Sequence, residues 1–145
     1  MKYNKNICVI GAGKWGRNHI KTLDSLDSLG GVVDKSSDHL DFVKKSYPNC
    51  MIFNNLSEAI NFNFDGYIVA TPPSSHFEIA KRIINAGKSL LVEKPITLEY
   101  SSALELNEMA KKAKVNLMVG HVLLFHPQLS KPLVVQSLCQ RGNLD

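Results

Sequence analysis

The stretch Ile7-Cys8-Val9-Ile10-Gly11-Ala12-Gly13-Lys14-Trp15-Gly16 narrows the choice of folds more than any other part of the chain. A short apolar run stops at three glycines spaced G-x-G-x-x-G, and a helical pattern begins at once. Strand, turn and helix in that order are the context in which this spacing acts as a dinucleotide-binding fingerprint. Each glycine answers a separate steric demand. Gly11 permits the tight turn out of the strand, Gly13 lets a pyrophosphate approach the backbone, and Gly16 lets the new helix pack close to the sheet. The helix N-terminus, at Lys14 and Trp15, then offers unpaired N–H groups and a partial positive charge to phosphates.

Three glycines alone are weak evidence, and the fingerprint needs an acidic residue about 20 residues further on, at the end of a second strand. The run Gly30-Gly31-Val32-Val33-Asp34 supplies it. Asp34 can accept hydrogen bonds from both hydroxyls of an adenosine ribose and would repel a 2′-phosphate, which favours NAD over NADP. Two features keep other readings open. Asp34 can also start a turn or cap the next helix, and Lys35 and Ser36 offer a cation and a hydroxyl that can accept a phosphate.

Beyond the fingerprint, strand and helix patterns alternate, which predicts right-handed βαβ units and a doubly wound parallel α/β sheet of five or six strands. Strands are expected at about Asn6–Ile10, Gly31–Asp34, Met51–Phe53, Gly66–Ala70, Ser89–Val92 and Val115–Gly120. Helices are expected at about Trp15–Leu26, Ser37–Ser46 (capped by Ser36 or Ser37), Ser57–Asn61 (capped by Ser57), Ser75–Ala86 (stopped by Gly87) and Glu99–Lys114. A weaker helical stretch follows at Leu133–Gln140, with Pro132 in its first turn.

A chain of 145 residues suits one domain. The net charge is +4, but the lysines are spread along the chain, which argues against a nucleic-acid partner. No apolar run reaches membrane-span length and the start lacks a signal-peptide pattern, so a cytoplasmic protein without a membrane partner is expected. Cys8, Cys50 and Cys139 have no paired spacing; reduced thiols are expected and a zinc site is not.

In doubly wound sheets the ligand sits beyond the carboxyl ends of the strands. Three further strand ends carry suggestive residues: Ala70-Thr71-Pro72-Pro73, Glu93-Lys94-Pro95 and Gly120-His121. With these the chain resembles the glucose–fructose oxidoreductase / inositol dehydrogenase (Gfo/Idh/MocA) family in its N-terminal Rossmann domain. The matching segments are Gly11-Ala12-Gly13-Lys14-Trp15-Gly16-Arg17-Asn18-His19, Ala70-Thr71-Pro72-Pro73-Ser74-Ser75-His76 and Val92-Glu93-Lys94-Pro95-Ile96. The resemblance covers about the first 127 residues, and three motifs in order are far more specific than the glycines alone.

The resemblance implies an NAD(P)-dependent dehydrogenase acting on a secondary alcohol, with Lys94 as the active-site lysine and Glu93 beside the nicotinamide end of the cofactor. Pro95 would shape the turn through a cis bond. Ala70, Thr71 and Pro72 would line the cofactor groove, with His76 near it. General chemistry agrees: a partly desolvated lysine near a cationic ring gives up its proton more readily and can manage the hydroxyl proton during hydride transfer. The bland alternative for Glu93-Lys94 is a solvated ion pair at a strand end. His121 is open between proximity to cofactor or substrate and a satisfied strand-end histidine. Trp15 either shields the pyrophosphate or simply packs. Arg17 either approaches phosphates or lies on a solvated helix face.

The apolar Val122-Leu123-Leu124-Phe125 replaces the polar run that many family members carry, and looks more like the branch that acts on nucleotide-linked amino sugars in surface-polysaccharide synthesis. Family members continue into a second, substrate-binding domain. Residues 1–121 are therefore expected to form the cofactor domain and residues 122–145 a linker leading toward the rest. The chain alone is expected to bind cofactor weakly, to turn over a sugar or nucleotide sugar poorly or not at all, and to self-associate through its exposed sheet edge or tail. The alternative class is a non-catalytic NAD(H)-sensing module that regulates a partner; Lys94 argues against it. An imine-reductase or biliverdin-reductase-like activity also stays open, whereas a methyltransferase would not need the lysine-bearing strand end.

Overall fold

The computed structural model describes residues 5–121. The expectations for the helix at Leu133–Gln140, the apolar run at Val122–Phe125, Cys139 and the tail as a linker lie outside the described residues. The elements run β1 (Ile7–Ile10), α1 (Lys14–Ser25), β2 (Leu29–Val33), α2 (Ser37–Ser46), β3 (Met51–Phe53), α3 (Leu56–Asn61), β4 (Gly66–Val69), α4 (His76–Asn85), β5 (Leu90–Glu93), α5 (Tyr100–Ala113) and β6 (Leu117–Gly120), with a 3-10 turn at Pro73–Ser75 leading into α4.

The six strands are all parallel and lie in the order β3-β2-β1-β4-β5-β6. The chain winds outward from β1 to β3, crosses back, and winds the other way from β4 to β6. The direction reverses between β1 and β4, which makes their carboxyl ends the expected crevice for a ligand. Register keeps those ends level: Ile10 pairs with both Val33 and Val69, Val69 with Val92, and Glu93 with Gly120. Gly11, Asp34, Ala70, Lys94 and His121 therefore leave the sheet along one rim.

Although the strands read as unbroken apolar runs, their side chains alternate between two cores, as the period of two requires. Cys8, Ile10, Val33, Tyr67, Val69 and Val92 face a core closed by α3, α4 and α5 through Ala59, Ala80, Ile83 and Leu106. Val9 and Val32 face a second core closed by α1 and α2 through Ile20, Leu40 and Val43. Burial pushes the Cys8 thiol far above its ordinary range, with Cys50 adding to the shift, and pushes the Tyr67 phenol up to about 12.

Helix ends account for most departures from the sequence expectations. α3 begins one residue earlier than expected and is capped by Asn55, not Ser57: the Asn55 Oδ1 accepts from the Glu58 N–H at 3.0 Å, and the Asn55 amide donates back to Glu58 Oε1 at 2.6 Å. The first bond satisfies one orphan backbone donor, and the second, between the two side chains, holds the capping amide in place. Ser36 caps α2. Gly87, at φ +69°, ends α4 with the Gly87 and Lys88 N–H groups turned back to Ile84 and Ile83. β2 starts at Leu29, which pairs with Ile7, ahead of two glycines that make room for a ring: a methyl on Gly31 would lie 2.7 Å from Phe64.

Candidate active site

The first helix begins without a side-chain cap. Gly13 is its N-cap residue and makes no capping bond, and no acidic residue occupies the first turn. The orphan N–H groups and the positive end of the dipole thus face the rim. Gly11 sits at φ +97°, and a Cβ there would lie 2.8 Å from the Ala70 carbonyl; at Gly16 it would lie 1.8 Å from the Gly11 carbonyl. At Gly13 nothing stands within 4 Å. Two of the glycines are therefore demanded by the protein's own packing, and the third borders open space.

Asp34 leaves β2 next to this turn. Its Oδ2 accepts from the Ala12 N–H at 2.6 Å and lies 3.1 Å from His39 Nδ1, while its Oδ1 accepts from the Ser36 N–H at 2.8 Å. Partial burial works against its ionisation, but the Ala12 and Ser36 amides and His39 outweigh it and hold the carboxyl below the ordinary carboxylate range. Asp34 thus starts the turn into α2 and braces the glycine turn with the same carboxylate. Arg17 bridges the glycine turn and α2: its guanidinium lies 4.1 Å from the Phe42 ring centroid and its Nε donates to the Ala12 carbonyl at 3.2 Å.

At the other end of the crevice, Trp15, Ala70, Thr71, Pro73, His76, Glu93 and Lys94 surround a pocket of ≈ 240 Å³. Trp15 is 51% exposed and overhangs it, with the Lys94 ammonium 5.9 Å from its ring centroid, within cation–π reach. Glu93 and Lys94 do not pair. The Glu93 carboxylate turns to α1, where Oε1 meets His19 Nε2 at 2.7 Å, and Oε2 accepts from the Lys94 backbone N–H at 3.2 Å. Across the register it packs against Gly120, where a Cβ would lie 3.1 Å from it. Lys94 stays exposed, with no carboxylate partner among the described residues.

His76 is 1% exposed and is held at both ring nitrogens: Nε2 lies 2.7 Å from the Thr71 carbonyl and Nδ1 2.9 Å from the Pro95 carbonyl. It ties the end of β4 to the turn after β5, where the Lys94–Pro95 bond is cis. Pro72 lies outside the pocket lining; its carbonyl accepts from the Ser75 N–H and hydroxyl. His121 and Lys14 are exposed at the rim and also lie outside the lining. Sequence reasoning gave no site role to three contributors, His19, His39 and Pro73, although Pro73 and His19 lie inside segments it quoted. His19 stood inside a quoted motif, but only its 2.7 Å contact with Glu93, which is 74 residues away, reveals its place. His39 had a local signal, since its N–H donates to the Ser36 cap at 3.4 Å and it therefore sits in the first turn of α2, beside Asp34.

These features match known proteins. The model of an oxidoreductase family with an NAD-binding Rossmann fold matches residues 5–121. UDP-N-acetylglucosamine 3-dehydrogenase of Acidithiobacillus ferrooxidans is 32% identical over 121 residues, covering 83% of this chain and 38% of that protein. Inositol 2-dehydrogenase of Corynebacterium glutamicum is 25% identical over 133 residues, covering 88% of this chain and 40% of that one. Among solved structures, GenD2 from gentamicin A biosynthesis in complex with NAD is 28% identical with a TM-score of 0.81, covering 86% of this chain and 36% of that one. The chain thus spans about two-fifths or less of the length of each of these relatives. Among the described residues no helix is long and apolar enough to cross a membrane. The six-stranded sheet, the glycine turn and the family match over residues 5–121 together identify the chain as a member of the Gfo/Idh/MocA oxidoreductase family, spanning its NAD-binding Rossmann domain.

Proposed function

We propose that this chain forms the cofactor-binding part of a dehydrogenase that moves hydride between NAD and a secondary alcohol of a sugar or nucleotide sugar. The observation that carries the proposal is the single rim on which Asp34, the uncapped start of α1 and the exposed Lys94 lie in order. An NAD molecule has the same three chemistries in the same order: a ribose diol, a pyrophosphate and a nicotinamide. The residues fit it on local grounds. Asp34 remains an anionic acceptor, Gly13 leaves open space where a phosphate needs it, and the α1 amides lack any other side-chain partner. The low-lying Asp34 carboxyl also opposes a 2′-phosphate, which favours NAD over NADP.

When bound, the nicotinamide supplies hydride acceptance or donation. The protein's own part is to orient and to manage a proton. Trp15 shields one side of the pocket, and Ala70 and Thr71 form its floor at the switch point. Lys94, which lines this pocket, would hydrogen-bond the reacting hydroxyl and take or return its proton. Glu93, anchored by His19, fixes the backbone from which Lys94 projects. A nucleotide sugar is the favoured substrate class, because a relative 32% identical to this chain is a UDP-N-acetylglucosamine 3-dehydrogenase.

The test is calorimetric titration with NADH and NADPH, alongside Asp34→Ala. Tighter binding of NADH than of NADPH, weakened in the variant, is expected. Equal affinity for both that survives the substitution would remove Asp34 from the ribose, and absence of binding to either would sink the proposal.

A further inference from the structure

We infer that His39 sets the affinity of this site for NAD by competing with the adenosine ribose for the Asp34 carboxylate. The inference rests on the reading of Asp34 as the ribose acceptor and goes beyond it by naming the residue that tunes the site. An ionised carboxylate offers about four acceptor positions, two on each oxygen. Three are filled: Ala12 N–H and His39 Nδ1 on Oδ2, and Ser36 N–H on Oδ1. A ribose diol brings two hydroxyl donors, so one present partner must give way.

The three partners differ in their freedom to leave. Ala12 N–H belongs to the glycine turn, pinned by the close approach of Gly11 to Ala70. Ser36 N–H belongs to the turn that starts α2, and its hydroxyl caps that helix. His39 alone reaches Asp34 through rotatable side-chain bonds, and its side chain is 38% exposed. Its contact is also the longest of the three, at 3.1 Å. The imidazole is the partner that the diol displaces.

The competition is sensitive to pH. Asp34 stays ionised and can only accept, so Nδ1 carries a proton in both states of the ring. A neutral ring offers an ordinary hydrogen bond, whereas an imidazolium adds charge and holds the carboxylate more tightly. Imidazoles change charge between about pH 5 and 8, so acidification strengthens the competitor. Among the described residues Asp34, at the end of β2, is the hydrogen-bonding partner of the ring. The charged residues nearest to it along the chain are Asp38 and Asp41 on α2 itself and Lys35 in the loop before it, and from the neighbouring α1 the Arg17 guanidinium covers Phe42 of α2. His19 and His76 belong to the pocket at the nicotinamide end and meet Glu93 and the Thr71 and Pro95 carbonyls instead.

The experiment titrates the whole chain with NADH at pH 7.5 and 5.5, as wild type, His39→Ala and Asp34→Ala, with circular dichroism confirming that each is folded. Wild-type affinity is expected to fall about fivefold on acidification, the size of one charge-assisted contact at a part-exposed site. In His39→Ala most of that fall disappears, and the variant binds NADH more tightly than wild type at pH 5.5. A fall of equal size in His39→Ala would overturn the inference, as would weaker binding by that variant at both pH values, which would make His39 a support for Asp34 and not its competitor. The Asp34→Ala arm separates the two layers. If it leaves NADH affinity unchanged, or if no form binds, the ribose reading fails and takes the inference with it. If it weakens binding while His39→Ala behaves as wild type, the inference alone fails.

Discussion

Gly13 and Gly16 stand three residues apart in one motif, and substituting each with alanine separates a ligand-facing glycine from a packing glycine. At Gly16 a new Cβ would stand 1.8 Å from the Gly11 carbonyl oxygen, where real contacts essentially never fall below 3.0 Å, so α1 or the turn must retreat by about 1.2 Å. Both sides of that contact are backbone and the turn is also wedged against Ala70, so no side chain can yield. Overpacking of this kind costs about 3 kcal/mol, at the top of the usual range. With a urea m-value of about 1.5 kcal/mol/M, the unfolding midpoint should drop by about 2 M. At Gly13 the backbone is ordinary extended chain, φ −71° and ψ −166°, and the added methyl meets nothing within 4 Å. A poorer N-cap costs a few tenths of a kcal/mol to about 1, and the stiffer unfolded chain returns about 0.4–1. Stability should therefore stay within about 0.5 kcal/mol of wild type. The methyl nevertheless fills the space assigned to the pyrophosphate, so NADH affinity should fall at least about tenfold, or 1.4 kcal/mol. Urea melts and NADH titrations of the two variants decide the matter. If Gly13→Ala binds NADH like wild type, the pyrophosphate does not pass over Gly13. If both variants are equally destabilised, the division of roles is wrong.

Three further outcomes are expected. Because the folded Asp34 carboxyl titrates below its ordinary value, the stability it contributes is fully present above about pH 3.9 and is lost as pH falls through the lower folded value; Asp34→Asn should lower stability at neutral pH and flatten the acid limb of the stability profile, and an unchanged profile would refute the assignment. The Tyr67 hydroxyl donates to the Ala59 carbonyl at 3.1 Å inside the core, so Tyr67→Phe should cost about 1 kcal/mol in a denaturant melt, and no loss would mean that the bond adds nothing. Burial pushes the Cys50 thiol up to about 11 and the Cys8 thiol further still, so peptide mapping after alkylation at pH 8 should find Cys8 unmodified and Cys50 slow to react until the chain unfolds.

The fold was legible because its signals are local and periodic. The apolar runs, the glycine turn and the Gly87 stop each act within a few residues, and the structure places six strands and five helices close to where those signals put them. The cap of α3 has a local cause too: Asn55 and Glu58 form a reciprocal pair three residues apart, and Ser57, two residues on, carries a competing cap signal in the sequence. The contacts around the candidate site were less legible. No periodicity predicts that Glu93 turns from its neighbour Lys94 to a histidine 74 positions earlier, or that both nitrogens of His76 are held by carbonyls of two different strand ends. Such contacts depend on level strand ends, and level ends depend on register that only the assembled sheet fixes.

That dependence suggests why the rim is braced by polar side chains. The last ladder hydrogen bonds are those donated by Gly11, Asp34 and Ala70 to Val33, Phe53 and Ile10; beyond them the sheet no longer holds one chain end to the next, and a ligand groove cannot be filled with apolar packing. Three contacts take over that duty. Asp34 ties β2 to the β1 turn through Ala12, His76 ties the β4 loop to the β5 turn through Thr71 and Pro95, and His19 ties α1 to β5 through Glu93. Each brace acts on a backbone segment that borders the crevice, and among the described residues every buried side-chain polar atom has a partner. Polar bonds suit this task because they are directional: they hold Lys94 and the start of α1 at set positions without filling the groove between them. His19 and His76, which look like catalysts by residue type, are thus committed to holding the rim in shape, whereas Lys94 stays exposed with no carboxylate partner among the described residues, which is why the proposed function gives the reacting hydroxyl to Lys94.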